Sequence, residues 1–185
     1  MKKAWRTTKK RPSIYLTNRG ISPDVQTKLG IGFLDDWHTF PILNPKRKLI
    51  GAVARKGEDN PSDAKYVVPS GQNPNWLYVP DWNRIKNNKT IYLTFGILDA
   101  ISLYICGVAS MSTLSGQRLQ PEALNHIRKL IYFIPDRGEE DAAHKIASKL
   151  GWRGKVMKVN WPENSKDCND LFIKHDDRLK SALGV

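Results

Sequence analysis

Two segments run from an unbroken apolar stretch into a glycine-containing turn. They are Thr90-Ile91-Tyr92-Leu93-Thr94-Phe95-Gly96-Ile97-Leu98-Asp99-Ala100 and Ile131-Tyr132-Phe133-Ile134-Pro135-Asp136-Arg137-Gly138. A strand apolar at consecutive positions has no face to give to water, so it must be buried on both sides. Where such strands alternate with helical patterns, the solution is a parallel sheet with helices on both faces. The pattern predicts strands over 91–94, 108–110, 131–134 and 155–159 and helices over 98–105, 119–130, 140–150 and 171–183.

Upstream the pattern is different. Residues 13–20 predict a short helix closed by Gly20, and Ser22-Pro23-Asp24 starts another that Gly30 closes. Short apolar runs over 39–43 and 49–55 flank the polar turn Asn44-Pro45-Lys46-Arg47-Lys48, which predicts a hairpin. Two further strands are expected over 65–68 and 76–79. The expected organisation is a basic arm over 1–12, a small α+β module over 13–85, mostly antiparallel, and an α/β domain over 86–185.

The 185 residues carry a net charge of +12 and a pI near 9.8. Such an excess can neutralise phosphates and release counterions, which points to DNA or RNA; a basic soluble surface or an anionic membrane face stays open on charge alone. No apolar run reaches the roughly 20 residues of a membrane span. Cys106 and Cys168 are the only cysteines, which excludes a disulfide framework and a four-cysteine zinc site. A reduced cytoplasmic or host-cell intracellular setting is expected. The first eleven residues hold six basic groups and no acid, and they lack the apolar core of a secretory signal. They read as a nucleic-acid-binding arm, a solvated terminus or a transit peptide.

Ligands of open α/β sheets bind beyond the carboxyl ends of the strands. Phe95-Gly96-Ile97-Leu98-Asp99 and Pro135-Asp136-Arg137-Gly138 fall there, with glycines that allow a sharp turn and a close approach. Asp99 and Asp136 are hard oxygen donors suited to Mg²⁺ or Mn²⁺. Asp167, Asn169 and Asp170, after the last expected strand, can reach the same crevice. The plainer reading is that Asp99 and Asp136 cap helices.

These residues bring the chain to a resemblance. Residues 94–170 resemble a TOPRIM domain, and the chain from Tyr15 onward is similar to the RNA-polymerase core of bacterial, DnaG-type replicative primases. Tyr15-Leu16-Thr17-Asn18-Arg19-Gly20-Ile21-Ser22 resembles the opening tag of that family. Ile31-Gly32-Phe33, Phe40-Pro41-Ile42, Ile50-Gly51-Ala52-Val53-Ala54-Arg55, Lys65-Tyr66 and Leu77-Tyr78 follow in its order. The resemblance implies DNA, single-stranded or template, as partner, with a replicative helicase or polymerase alongside. It implies nucleic-acid or phosphate contacts from Arg19, Arg55 and Lys65, base stacking by Tyr66, and a Mg²⁺ or Mn²⁺ centre on Asp99, Asp136, Asp167, Asn169 and Asp170.

The departures matter as much. Phe95 stands where the family carries a glutamate, and Gly138 where it carries a second aspartate. Arg137 places a cation beside the expected metal, where it would hold phosphate instead. Neither the family's zinc-binding module nor its helicase-binding region is expected here. The leading expectation is a primase-like DNA-binding protein with an incomplete, impaired nucleotidyl-transfer site. The alternative is an active primase or polymerase subunit whose metal site is rearranged or completed by a partner. A TOPRIM nuclease or topoisomerase and a purely structural partner protein are the further readings.

Overall fold

The computed structural model describes residues 12–184 apart from 35, 59, 74, 115, 117, 118, 176 and 177. The basic arm with Trp5 therefore lies outside the described residues. The chain forms two compact units, one ending at residue 74 and the other starting at residue 75.

The first unit opens with α1 (Ile14–Asn18) and α2 (Pro23–Lys28), capped by the hydroxyls of Ser13 and Ser22. Gly20 and Gly30 end them at φ of 77° and 65°, the left-handed geometry that glycine adopts without strain. The buried Gln26 amide locks the pair: its oxygen accepts from the Ser13 N–H at 2.7 Å and its nitrogen donates to the Ile21 carbonyl at 2.8 Å. Strands β1 (Gly32–Leu34), β2 (Trp37–Leu43), β3 (Leu49–Lys56) and β4 (Tyr66–Val67) follow in an antiparallel sheet of order β1-β2-β3-β4. The hairpin turn at 44–48 forms as expected, with the Asn44 side chain accepting from the Lys46 and Lys48 N–H groups.

The second unit holds β5 (Leu77–Tyr78), α3 (Trp82–Asn87), β6 (Thr90–Thr94), α4 (Ile97–Ile105), β7 (Ser110–Thr113), β8 (Leu130–Ile134), α5 (Glu140–Ser148), β9 (Gly154–Val156), α6 (Cys168–Lys174) and α7 (Arg178–Leu183). Its sheet has the order β5-β7-β6-β8-β9. All neighbours run parallel except β5, which is antiparallel to β7. Ile91, Leu93, Ile131 and Phe133 pack with Ala143 and Ile146 of α5. Ile134 and the neighbouring Tyr92 pack with Leu103, Leu171 and Leu179 of α4, α6 and α7. The sheet is covered on both faces, as its continuous apolar strands require. No helix among the described residues is long and apolar enough to cross a membrane.

Several elements differ from expectation. Leu77–Tyr78 belongs to the second sheet, where both side chains are buried, not to the antiparallel module. Over 119–130 only the 3-10 turn Pro121–Leu124 forms, and the Arg153 guanidinium donates to the Leu124 and Ile127 carbonyls. The strand expected at 108–110 starts at Ser110; Gly107, at φ 86°, and the Val108 N–H, donating to the Leu103 carbonyl, still belong to the close of α4. The closing helix is two helices, since His175 leaves helical geometry. Helix α3 had no counterpart in the pattern; the Asp81 carboxylate caps it by accepting from the Asn83 N–H at 2.8 Å.

Candidate carboxylate crevice and nucleic-acid interface

The chain passes from β6 to β7 on one side and later to β8 on the other, so strand order reverses at β6. Beyond the carboxyl ends of β6 and β8 such a sheet opens a crevice. Three loops meet there. The Arg137 N–H donates to the Lys166 carbonyl at 2.8 Å, and the Asp99 carboxylate accepts from the Asn169 N–H at 2.8 Å.

Asp99 is 6% exposed, in the first turn of α4. A Cβ on Gly96 would collide with its carboxylate, so Gly96 serves as clearance; its own backbone is extended and demands no special conformation. Burial pushes the Asp99 carboxyl well up, and the charges of Asp167 and Asp136 push it further. Asp99 thus ties the start of α4 to the start of α6. Behind it the Asn169 amide donates to the Ser102 hydroxyl at 3.0 Å. Asp167 is the N-cap of α6 and accepts from the Asp170 N–H at 2.7 Å. Asp136, two residues beyond β8, is half-buried, with its carbonyl accepting from the Glu139 N–H.

Phe95, 9% exposed, belongs to the hydrophobic core that includes Leu93 and Met111. It offers no donor to the crevice. Gly138 sits at φ 88°, so an aspartate there has open space but a strained backbone. The Arg137 guanidinium donates to the carbonyls of Trp161, Pro162 and Glu163, so it braces the loop ahead of α6. Asp99, Asp136 and Asp167 feel one another's charge, yet no group of three His, Cys, Asp or Glu among the described residues gathers closely enough to hold a metal ion. Phe95, in the core, offers no ligand, and Asp99 and Asp167 each give one carboxylate oxygen to an N–H of α6.

The first unit brings the other candidate residues together. Arg55 of β3 lies opposite Tyr66 of β4 and His38 of β2. Its guanidinium donates to the Tyr15 hydroxyl through Nε at 3.1 Å and Nη2 at 2.5 Å, and to the Tyr66 hydroxyl at 3.0 Å. It lies 5.5 Å from the Tyr15 ring centre and 5.2 Å from that of Tyr66. Arg19 stands 5.7 Å from the Tyr15 ring on α1, and the Lys65 ammonium 6.0 Å from the Tyr66 ring. The result is a ladder, Arg19–Tyr15–Arg55–Tyr66–Lys65, that alternates cation and ring. Burial works against the Arg55 charge, but the two tyrosines outweigh it and hold its pKa above the ordinary value. Arg55 is 8% exposed, yet it has no carboxylate partner among the described residues.

Arg19, Arg55, Lys65 and Tyr66 were all legible as candidates, whereas Tyr15, which joins the two halves of the ladder, was legible only as part of a tag. His38 escaped sequence reasoning. It is buried beneath Tyr15, with ring centres 5.1 Å apart, and its Nε2 lies 2.6 Å from the Ser13 hydroxyl. Burial lowers its pKa to about 4, with the Arg55 charge adding to the effect.

A mixed α/β chain of this kind, its parallel-containing sheet flanked by helices, has the fold of a DnaG-type primase catalytic core. The RNA polymerase domain of Mycobacterium tuberculosis primase DnaG, solved with double-stranded DNA, matches at a TM-score of 0.76 and 18% identity, over 92% of this chain and 71% of that one. A DnaG primase catalytic domain bound to single-stranded DNA matches at 0.74 and 16%, over 100% of this chain and 76% of that one. The zinc-binding and RNA polymerase domains of Aquifex aeolicus primase match at 0.74 and 20%, over 92% of this chain; the chain spans 54% of that structure. Neither a protein-family profile nor a curated protein sequence matches the chain. At these identities the likeness is one of fold.

Proposed function

We propose that this is a primase-like replication protein that binds single-stranded or template DNA through the Arg19–Tyr15–Arg55–Tyr66–Lys65 ladder. Its nucleotidyl-transfer centre is impaired, and a replicative helicase or polymerase is the partner beside which it acts. The observation that carries the reading is Arg55, a buried guanidinium held by two tyrosine hydroxyls with no carboxylate against it among the described residues. A buried cation ordinarily has an anion beside it, and a phosphate fits the remaining N–H donors. The tyrosine rings supply the faces on which bases stack.

The test pairs two assays on the purified chain. Labelled dT20 should bind in a salt-sensitive manner, and Arg55→Ala should weaken binding by about tenfold or more, the scale of a charge-assisted contact. Arg55→Lys, checked for an intact melting transition, separates a lost contact from a lost fold. Primer synthesis with ribo- and deoxyribonucleotides and Mg²⁺ or Mn²⁺ should give no product.

One observation favours a second reading. The charges of Asp136 and Asp167 both act on Asp99, a repulsion that a bound cation would relieve. Primer products that vanish in Asp136→Ala would establish an active enzyme whose metal site a partner or a rearrangement completes.

A further inference from the structure

The five-stranded sheet has a second rim, at the amino ends of its parallel strands, opposite the carboxylate crevice. Thr90 of β6 pairs with Leu130 of β8, and Ile131 with Gly154 of β9. The residues just upstream of these strands therefore lie side by side, each strand about 4.8 Å from the next. They are Lys89, Arg128-Lys129 and Trp152-Arg153. The Lys129 ammonium donates to the carbonyls of Ile85, Lys86 and Asn88, which draws the end of α3 to the same rim. Helix α5 returns from β8 to the start of β9 and delivers Lys149 there.

Trp152 is 75% exposed, unusual for the largest side chain. Its surroundings are nonetheless fixed. Gly151 takes φ 60° and Leu150 is buried. Arg153 holds the Leu124 and Ile127 carbonyls, and Gly154 sits so close to the Ala147 carbonyl of α5 that no Cβ would fit. A rigid turn presents an indole face to solvent. On the same rim Lys86, Lys89, Arg128 and Lys149 are exposed, and none makes a side-chain hydrogen bond or ion pair among the described residues. From residue 142 to 162 the chain has no Asp or Glu; Glu122 lies in the 3-10 turn, and Asp81, at the start of α3, is engaged in capping that helix and pairing with Arg84.

We propose that this rim is a second single-stranded DNA contact, with a base stacked on Trp152 and phosphates held by Lys86, Lys89, Arg128 and Lys149. The centre of a protein–protein interface is depleted in charge, and four lysines and arginines on one rim with a single aromatic are the reverse. Cations that track a backbone beside a ring that takes unstacked bases are what a single strand requires. A duplex keeps its base faces covered. The site rests on the reading that the chain binds DNA, but it is separate from the tyrosine–arginine ladder.

The experiment uses the whole chain and dT20 carrying 5-iododeoxyuridine, irradiated and mapped by mass spectrometry. Crosslinks should include Trp152. Trp152→Ala should weaken dT20 binding about five- to tenfold without changing the melting temperature. Lys89→Ala with Arg128→Ala should lower the slope of log affinity against log salt by about 1.4. Crosslinks confined to residues 13–67, with Trp152→Ala binding normally, would overturn the second contact and leave the ladder standing. Absence of dT20 binding by the unaltered chain would overturn both. Sedimentation in which Trp152→Ala abolishes self-association while DNA affinity holds would assign the rim to a second copy of the chain instead.

Discussion

The tyrosine–arginine ladder and the carboxylate crevice answer to opposite physical demands, and the chain has treated them differently. A single strand calls for cations against its phosphates and flat rings against its bases, and Arg19, Tyr15, Arg55, Tyr66 and Lys65, the contact proposed above, alternate the two from α1, β3, β4 and the residue ahead of β4. Metal-assisted transfer needs several carboxylates converging on one point, where each missing group cuts deeply into the rate. In the crevice one such position is Phe95, in the core, and two of the remaining acids are engaged with helix α6. The crevice acids also serve the architecture, since Asp99 ties α4 to α6 and Asp167 caps α6.

The comparison is most directly broken at Phe95. Phe95→Glu removes a buried aromatic and places a carboxylate at the edge of the core, and should cost about 3–5 kcal/mol in urea unfolding. If the crevice lacks only that donor, Mn²⁺ should raise the melting temperature of the variant, since a ligand of the native state stabilises it, and leave the unaltered chain unmoved. A rise of several degrees in the unaltered chain would show that the crevice already holds metal.

Next in size is Asp99. Asp99→Ala leaves the Asn169 N–H buried without its acceptor and should cost about 2–4 kcal/mol. Asp99→Asn keeps an acceptor and removes a carboxyl already disposed to be neutral, so it should cost under about 1.5 kcal/mol. Equal losses in the two variants would mean that the charge of Asp99, and not its acceptor, is what the fold uses.

What could be read in advance follows the same division. The parallel sheet was legible because consecutive apolar residues at 91–94 and 131–134 admit little else. The crevice acids were legible because a strand end followed by glycine and aspartate is a local pattern. The bracing by Arg137 and Arg153 was not, because each reaches carbonyls some 25 residues away in sequence, and spacing carries no record of such contacts. Leu77-Tyr78 was misplaced for the same reason: a two-residue edge strand acquires its sheet only from its partner, Ser112-Thr113. Tyr15 became part of the ladder, and His38 came to lie beneath it, through the packing of α1 on β2, held by Ser13 and Gln26.

His38 gives the third effect, a dependence on pH. Its pKa falls from 6.5 to about 4 on folding, so between those values the unfolded chain binds a proton that the folded chain does not. The stabilisation is complete above 6.5, declines as pH drops towards 4, and changes no further below. The loss over that window should be on the order of 2–3 kcal/mol. Thermal unfolding from pH 7.5 to 4.5, compared with His38→Gln, measures it; an identical decline in the variant would place the titrating group elsewhere.

The smallest effect sharpens the ladder itself. Lys65 is exposed and meets Tyr66 only at 6.0 Å, so it contributes little to the fold. If it lies at the outer end of the DNA path, Lys65→Ala should weaken dT20 binding a few-fold and lower the salt slope by about 0.7, the value for one phosphate on a single strand. Lys46→Ala, in the exposed turn between β2 and β3, is the control that should leave the slope unchanged. Equal slopes for both variants would mean that dT20 responds to the net charge of the whole chain and not to a path along the ladder, and the proposed reading of the ladder as the DNA contact would fall.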